Sequence, residues 1–175
     1  MSRVLVIGSP GAGKSTFAKA LAQRSGLPLV HLDAEYWNPG WVETPKDAWE
    51  ARLAEIIAAD RWVMDGNYGG SLPQRIAAPD TIVVLDYPTW LCLSRIIKRW
   101  WTHRGISRPD MAADCPERLD PSFLLYVARF RQNKRWRNEA LLTQFKGAVH
   151  RFATQEAAAS WLGALPPDSV SPSRI

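Results

Sequence analysis

Gly8-Ser9-Pro10-Gly11-Ala12-Gly13-Lys14-Ser15-Thr16 satisfies G-x-x-x-x-G-K-[ST] at every fixed position. Residues of these types at this spacing can do one kind of chemistry well. Glycines let the backbone curl until its N–H groups converge on phosphate oxygens, and a helix starting at the end of the loop adds its partial positive charge. Lys14 is spaced to reach the β- and γ-phosphates, and the Ser15 hydroxyl to ligate Mg²⁺. Gly8, Pro10, Gly11, Ala12, Gly13, Lys14, Ser15 and Thr16 are therefore the expected nucleotide-binding residues, with MgATP the expected cofactor.

Three carboxylates stand where short apolar runs end. Asp65 closes Arg61-Trp62-Val63-Met64 and is followed by Gly66-Asn67-Tyr68. It could hold a Mg²⁺-bound water opposite Ser15, with Gly66, Asn67 and Tyr68 near an acceptor, or it could simply cap the next turn. Asp33 follows Leu29-Val30-His31-Leu32. It could orient and deprotonate an acceptor hydroxyl, or cap a turn. Asp86 ends Thr81 to Leu85 and is read as structural. Tyr36, Trp37 and Trp41 lie just past Asp33, so an aromatic face at Trp37 could stack on an acceptor. Most of the nine tryptophans, including Trp49, Trp62, Trp100 and Trp161, are expected in the core.

These residues need a scaffold that gathers strand ends. Arg3 to Ile7 is β-branched and almost wholly apolar, as a strand buried on both faces should be. Helical spacing at Phe17, Ala18, Leu21 and Ala22 runs to Gly26. Strands are expected at 29–33, 61–65, 81–86 and 147–152. Intervening helices start at Thr44-Pro45, after Pro88, at Asp120-Pro121 and at Thr154. The helix after Pro88 is expected to turn Leu93, Ile96, Ile97, Trp100 and Trp101 to the core. Strands alternating with helices imply an α/β three-layer fold, with a doubly wound five-stranded parallel sheet and helices on both faces. Ligands collect at the carboxyl ends of such strands.

With 175 residues, 46% of them hydrophobic and 22% charged, the chain fits one domain over 1–165, with a lid at about 106–120 and a disordered Pro/Ser-rich tail over 166–175. There is no 18-residue apolar run, so no membrane partner is expected, and two distant cysteines fit a cytoplasmic, reducing setting. Monomer and homodimer both remain open. Arg95 to Arg151 holds thirteen lysines and arginines against five acidic residues, whereas the rest holds nine against twelve. That excess suits either arginines around a polyphosphate or a nucleic-acid footprint, the latter giving an alternative reading as a nucleic-acid-associated ATP-binding protein without kinase activity.

GSPGAGKST, Trp62-Val-Met-Asp-Gly and Arg95-Ile-Ile-Lys-Arg99 resemble the loop, third strand and paired arginines of adenylate kinases and related small P-loop kinases. HLDAEYWNPGW, WVMDGNYGG, RPDM and CPERLD resemble the bacterial DNA topology modulation proteins, a subgroup of adenylate-kinase-like enzymes. The resemblance implies a P-loop phosphotransferase acting on a nucleotide and a small-molecule acceptor. It implies that Arg95 packs on the adenine, Arg99 contacts the phosphates, Arg108 and Arg118 belong to the lid, and Arg131 and Arg135 reach the transferring group. Lys14, Asp33, Arg99 and Arg135 are its catalytic candidates. One departure matters: Gly70 replaces an arginine that would clamp a nucleoside monophosphate, and 34–43 contains none. Unless Arg75 or Arg52 substitutes, the acceptor shifts toward a hydroxyl on a small molecule or nucleoside.

Overall fold

The computed structural model describes residues 1–106 and 110–166, without the side chains of 134–138. Arg108 and the tail over 167–175 lie outside the described residues, as does the side chain of Arg135. The elements run β1 Arg3–Gly8, α1 Lys14–Ser25, β2 Leu29–His31, α2 Leu32–Tyr36, β3 Trp37–Asn38, β4 Val42–Glu43, α3 Lys46–Ala58, β5 Trp62–Asp65, α4 Leu72–Ile76, β6 Thr81–Leu85, α5 Thr89–Thr102, α6 Pro121–Leu142, β7 Ala148–Phe152 and α7 Gln155–Ala164. Five strands form one sheet in the order β2-β5-β1-β6-β7, and every pairing is parallel.

Strand β1 lies at the centre because it is apolar on both faces. Val4 and Val6 enter a core with Phe17, Ala18 and Leu21 of α1, Cys92 and Ile96 of α5, Val127 of α6 and Ala158 of α7. Leu5 and Ile7 enter the opposite core with Trp49, Leu53 and Ile56 of α3 and Leu72 and Ile76 of α4. Period-two alternation along one strand thus glues two helical layers to one sheet. After β1 the chain builds β2 and β5 on one side, then crosses to β6 and β7 on the other. The loop leaving β1 therefore sits at the topological switch point, where doubly wound sheets open a crevice.

Several expectations shift. The second strand ends at His31 instead of Asp33, because Leu32 turns into the short helix α2 and buries completely. A two-stranded antiparallel hairpin, β3-β4, pairs Trp37 with Glu43 and Asn38 with Val42. Sequence periodicity cannot register strands of two residues, and it also passed over α4. On α5 the inward residues are Cys92 and Ile96, whereas Ile97 is 49% and Trp101 74% exposed. Apolar residues occupy more than one face of this helix, so spacing alone does not say which face is covered. Thr44 does not cap α3: its hydroxyl donates to the Tyr36 carbonyl. Asp120 caps α6 by accepting from Ser122 N, and Thr154 caps α7 by accepting from Ala157 N, as the sequence implies.

Two polar devices, one half-buried and one fully buried, hold the strand ends. Asp80 Oδ2 accepts from the amides of Ser2 and Arg3 at 2.6 and 3.1 Å, and its Oδ1 accepts from the Thr81 hydroxyl at 2.7 Å. Arg75, with no exposed surface, lies under the turn after β5. Its Nη1 donates to the Gly66 carbonyl at 3.0 Å, its Nη2 to those of Asn67 and Tyr68, and its Nε to Ser71 Oγ at 3.2 Å. Burial lowers the Arg75 pKa to about 10, an effect that Tyr68 opposes, so the guanidinium stays charged at neutral pH.

Burial alone would raise the Asp80 pKa, but the hydrogen bonds from Thr81, Ser2 and Arg3 outweigh it and hold the pKa below 3.8. A depressed carboxyl pKa contributes stability above the unfolded value and loses it as pH falls through the folded one. Asp80→Asn is expected to lower the urea midpoint at pH 7, with the gap to the parent closing below pH 4 (about the unfolded carboxyl value); a gap independent of pH contradicts this. Arg75→Leu strands three carbonyls that shared one charged donor group. It is expected to cost about 3 kcal/mol or more in denaturant unfolding, and a loss under about 1 kcal/mol refutes the bracing role.

Candidate active site

Pro10 to Thr16 and their surroundings line a cleft of about 930 Å³, near the upper end of the range for small-molecule sites (about 300–1,000 Å³), whereas Gly8 and Ser9 lie outside its lining. Residues from the loop after β1, from the ends of β5 and β6, from α2 and α5, and from the segment before α6 meet there. At Gly11, φ is +81° and a Cβ would stand 2.3 Å from the Cys92 carbonyl oxygen on α5. No side chain fits at that position, so the loop can curl only with glycine there. Gly13 is the N-cap of α1, also in the left-handed region. The loop closes with Ala12 N donating to the Ser9 carbonyl at 3.0 Å.

Part of Lys14 meets solvent, but its ammonium lies deep enough for burial to lower its pKa below 10.5, while Asp33 and Asp65 pull it up. Nζ donates to the Ser9 carbonyl at 3.2 Å. A desolvated ammonium at a helix N-terminus, ringed by backbone N–H groups, is built to receive a polyanion. Ser15, in the first turn of α1, lines the same cleft as Asp65. Among the described residues no cluster of three His, Cys, Asp or Glu forms a metal cage. A Mg²⁺ held by a serine hydroxyl, phosphate oxygens and waters needs none, so the donor set fits that ion.

Asp65, 4% exposed, accepts a 2.6 Å hydrogen bond from His31 Nδ1. The parallel register sets these two residues side by side on β2 and β5. The bond to Asp65 is the largest influence on His31 and raises its pKa above 6.5, against desolvation. His31 was not singled out from the sequence, because the pairing exists only once the strand register is known. Gly66 follows with φ +134°, and a Cβ there would press on Leu32 at 2.9 Å. The Asn67 amide ties the turn to the loop, with Nδ2 donating to the Gly8 carbonyl at 2.7 Å. Tyr68 has a buried hydroxyl with no hydrogen-bond partner. Burial first, then the charge of Asp33, pushes its pKa up, so it remains a neutral phenol in the cleft wall.

Asp33, Trp37, Gly66, Asn67 and Tyr68 all line the cleft, so the sheet gathers the residues expected around an acceptor. Tyr36 forms the hub of the wall behind them, with ring centroids 5.1 Å from Trp37, 5.1 Å from Trp49 and 4.6 Å from Tyr68. Trp41 adopts φ +64°, unusual for a bulky residue. Its indole N–H donates to the Pro116 carbonyl at 3.1 Å, and the Arg118 guanidinium stands 5.1 Å from its ring centre.

At the other end, Arg95 donates to the Ala12 carbonyl and to Gln155, and stacks 5.6 Å from the centre of the Tyr87 ring. Arg99 binds Glu117, with Nε and Nη2 at 2.8 and 2.7 Å from Oε1. Glu117, 8% exposed, is a cleft residue that the sequence did not reveal, since nothing in the local pattern distinguishes it from a solvated charge. Arg131 departs from its expected place: it pairs with Asp86 at 3.3 Å, beside Arg151 at 3.5 Å, and is absent from the main cleft lining. Neither proposed substitute clamp reaches the cleft. Arg75 is turned under the β5 exit, and Arg52 pairs with Glu35 and Glu55.

The model of the ATPase family associated with various cellular activities (AAA) matches residues 4–60. A shikimate kinase from Thermobifida fusca is 39% identical over 61 residues, covering 31% of this chain and 36% of that protein. Adenylate kinase 8 from Xenopus tropicalis is 27% identical over 116 residues, covering 53% and 24%. The chain thus spans well under half the length of these relatives. Among solved structures, the shikimate kinase from Acinetobacter baumannii in complex with shikimate aligns with a TM-score of 0.56 at 17% identity, over 93% of this chain and 89% of that one. At such identity the likeness concerns the fold, an α/β parallel sheet flanked by helices, while the two relatives matched in sequence are kinases and the family model is that of AAA ATPases. The chain is thus similar, over part of its length, to kinases with a phosphate-binding loop.

Proposed function

We propose that the protein is a Mg²⁺-dependent phosphotransferase that moves the γ-phosphoryl group of ATP to a hydroxyl of a small-molecule acceptor. The observation that carries this reading is the buried Lys14 ammonium within the Gly8–Thr16 loop, sharing one cleft with Asp33 and Asp65. Bound MgATP supplies the phosphoryl group and an ion that spreads the charge of its transfer.

The chain's own residues divide the remaining work. Loop amides and Lys14 hold the β- and γ-phosphates, Ser15 offers its hydroxyl to the ion, and Asp65 holds a water of the ion's shell. Asp33 orients the acceptor hydroxyl and takes its proton as the acceptor oxygen bonds to phosphorus and the bridging P–O bond breaks, leaving ADP and a phosphate monoester. Arg95 and Tyr87 flank the nucleotide base. Arg99, on α5, contacts the phosphates, while Glu117 and Arg118 belong to the segment that closes over the reacting groups and excludes water; Arg108 and Arg135 are further candidates for the phosphates. A hydroxyl acceptor is favoured over a nucleoside monophosphate because Arg75 and Arg52, the arginines left to clamp a second phosphate, are engaged elsewhere.

Kinship with the DNA topology modulation proteins, through HLDAEYWNPGW and WVMDGNYGG, and a cytoplasmic location belong to the same proposal. Among the described residues no helix is long and apolar enough to cross a membrane. The basic excess finds employment inside the fold, with Arg95, Arg99, Arg118, Arg131 and Arg151 on intramolecular partners. That weakens the case for a nucleic-acid footprint.

Lys14→Ala is expected to lower phosphotransfer at least about a hundredfold, the scale of losing one aimed charge-stabilising donor. Its circular dichroism and urea midpoint are expected to match the parent. A folded variant with parental ADP release overturns the assignment.

A further inference from the structure

Arg99 has two claimants. Its Nε and Nη2 donate to Oε1 of Glu117 at 2.8 and 2.7 Å, whereas the phosphotransferase reading gives the same guanidinium to the nucleotide's phosphates. Both side chains line the cleft. With the Glu117 side chain 6% exposed and that of Arg99 28%, solvent screens their attraction only in part. Arg99 also lies near enough to Lys14 for its charge to oppose that ammonium, a weaker influence than burial or the pull of Asp33 and Asp65. Two cations thus face one region of the cleft, as groups that share a polyanion must.

A carboxylate and a phosphate are rivals for such a group. Each takes the paired N–H groups along one edge of the guanidinium, and two anions set on the same edge repel each other. A triphosphate held by the loop amides and Lys14 brings its charge to Arg99 with its position already fixed. Glu117 answers with a single carboxylate, which water rehydrates once it leaves. The exchange therefore favours the phosphate.

Glu117 does not move by itself. Its amide donates to the Ile106 carbonyl at 3.1 Å. On either side of it, Pro116 accepts from the Trp41 indole, and the Arg118 guanidinium rests 5.1 Å from the centre of that ring. Pro116 and Arg118 are exposed while Glu117 is buried, so a residue turned to Arg99 lies between two that touch the hairpin. A pull on Glu117 is felt at Trp41.

We infer that Glu117 is an internal competitor of the nucleotide: its carboxylate takes the Arg99 edge that the phosphates need, and nucleotide binding frees 110–118, together with the hairpin, to close on the acceptor. This rests on the phosphotransferase reading above. No covalent bond is made or broken; one anion replaces another on a guanidinium.

The test uses the full chain and the Mg²⁺ complex of adenylyl imidodiphosphate, a non-hydrolysable ATP analogue, in calorimetry at pH 7. Glu117→Gln keeps the size of the side chain and removes its charge. It is expected to bind the analogue at least about threefold more tightly than the parent. A smaller gain refutes the inference, and so does weaker binding, which is what a Glu117 that merely aims Arg99 would give. In an Arg99→Gln background the same substitution is expected to lose its effect; an undiminished gain there contradicts competition for Arg99. Hydrogen exchange on the parent needs no variant. The analogue alone is expected to speed exchange at the amides of Gly40 and Glu117, which donate to the Asp114 and Ile106 carbonyls, and unchanged or slower exchange overturns the release. No heat when the parent meets the analogue is a separate failure, which removes the phosphotransferase reading along with this inference.

Discussion

A lysine ammonium drawn out of water is the constraint around which the cleft is organised. Burial disfavours the charge of Lys14, and the carboxylates of Asp33 and Asp65, with carbonyl oxygen from Ser9, work against that penalty. Asp65 ends β5 and Asp33 lies in α2, directly after β2, so their convergence depends on the register of β2, β5 and β1. That register in turn depends on β1 being buried on both faces. A polar residue at Leu5 or Val6 would cost the sheet its centre and would also scatter the groups around the ammonium. Fold and chemistry meet at one residue.

The segment before α6 joins both ends of the cleft. Glu117 holds Arg99 at the nucleotide end and bridges to the Arg104 backbone, while the neighbouring residues are bonded to the β3-β4 hairpin. There the Gly40 amide donates to the Asp114 carbonyl at 2.9 Å, the Trp41 indole donates to Pro116, and the Cys115 thiol lies 3.4 Å from the Asn38 carbonyl. Hairpin and covering segment are thus one hydrogen-bonded unit. Through Glu117 the same unit is tied to Arg99, so the hairpin, the covering segment and that guanidinium are mechanically linked.

The parts legible in the sequence are those with local causes. The Gly8–Thr16 loop is set by residue types at fixed spacing, the central strands by continuous apolar runs, and the caps at Asp120 and Thr154 by a side chain within reach of its own helix. What escaped depends on distant partners. His31 acquires meaning only beside Asp65, Arg75 only beneath the carbonyls it caps, and Glu117 only against Arg99. The hairpin is too short for periodicity to register, and its position is held by contacts to a segment more than seventy residues later. On α5, Trp90, Ile97 and Trp101 share an exposed face although their types suggest a core; hydrophobicity alone does not name the covered side.

Arginine chemistry explains why the acceptor end departs from what the adenylate-kinase resemblance implies. A guanidinium can clamp a phosphate or cap backbone carbonyls, but its five donors cannot do both at once. Arg75 is committed to the second task, turned inward beneath Gly66, Asn67 and Tyr68 with no surface left in the cleft. The turn it stabilises is the one that presents Asp65 and Tyr68, so freeing that arginine to hold a phosphate would loosen the wall against which the phosphate would lie. The groups that the fold does leave facing this part of the cleft include the rings of Trp37 and Trp41, the carboxylates of Asp33 and Asp65, the Asn67 amide and the Arg118 guanidinium.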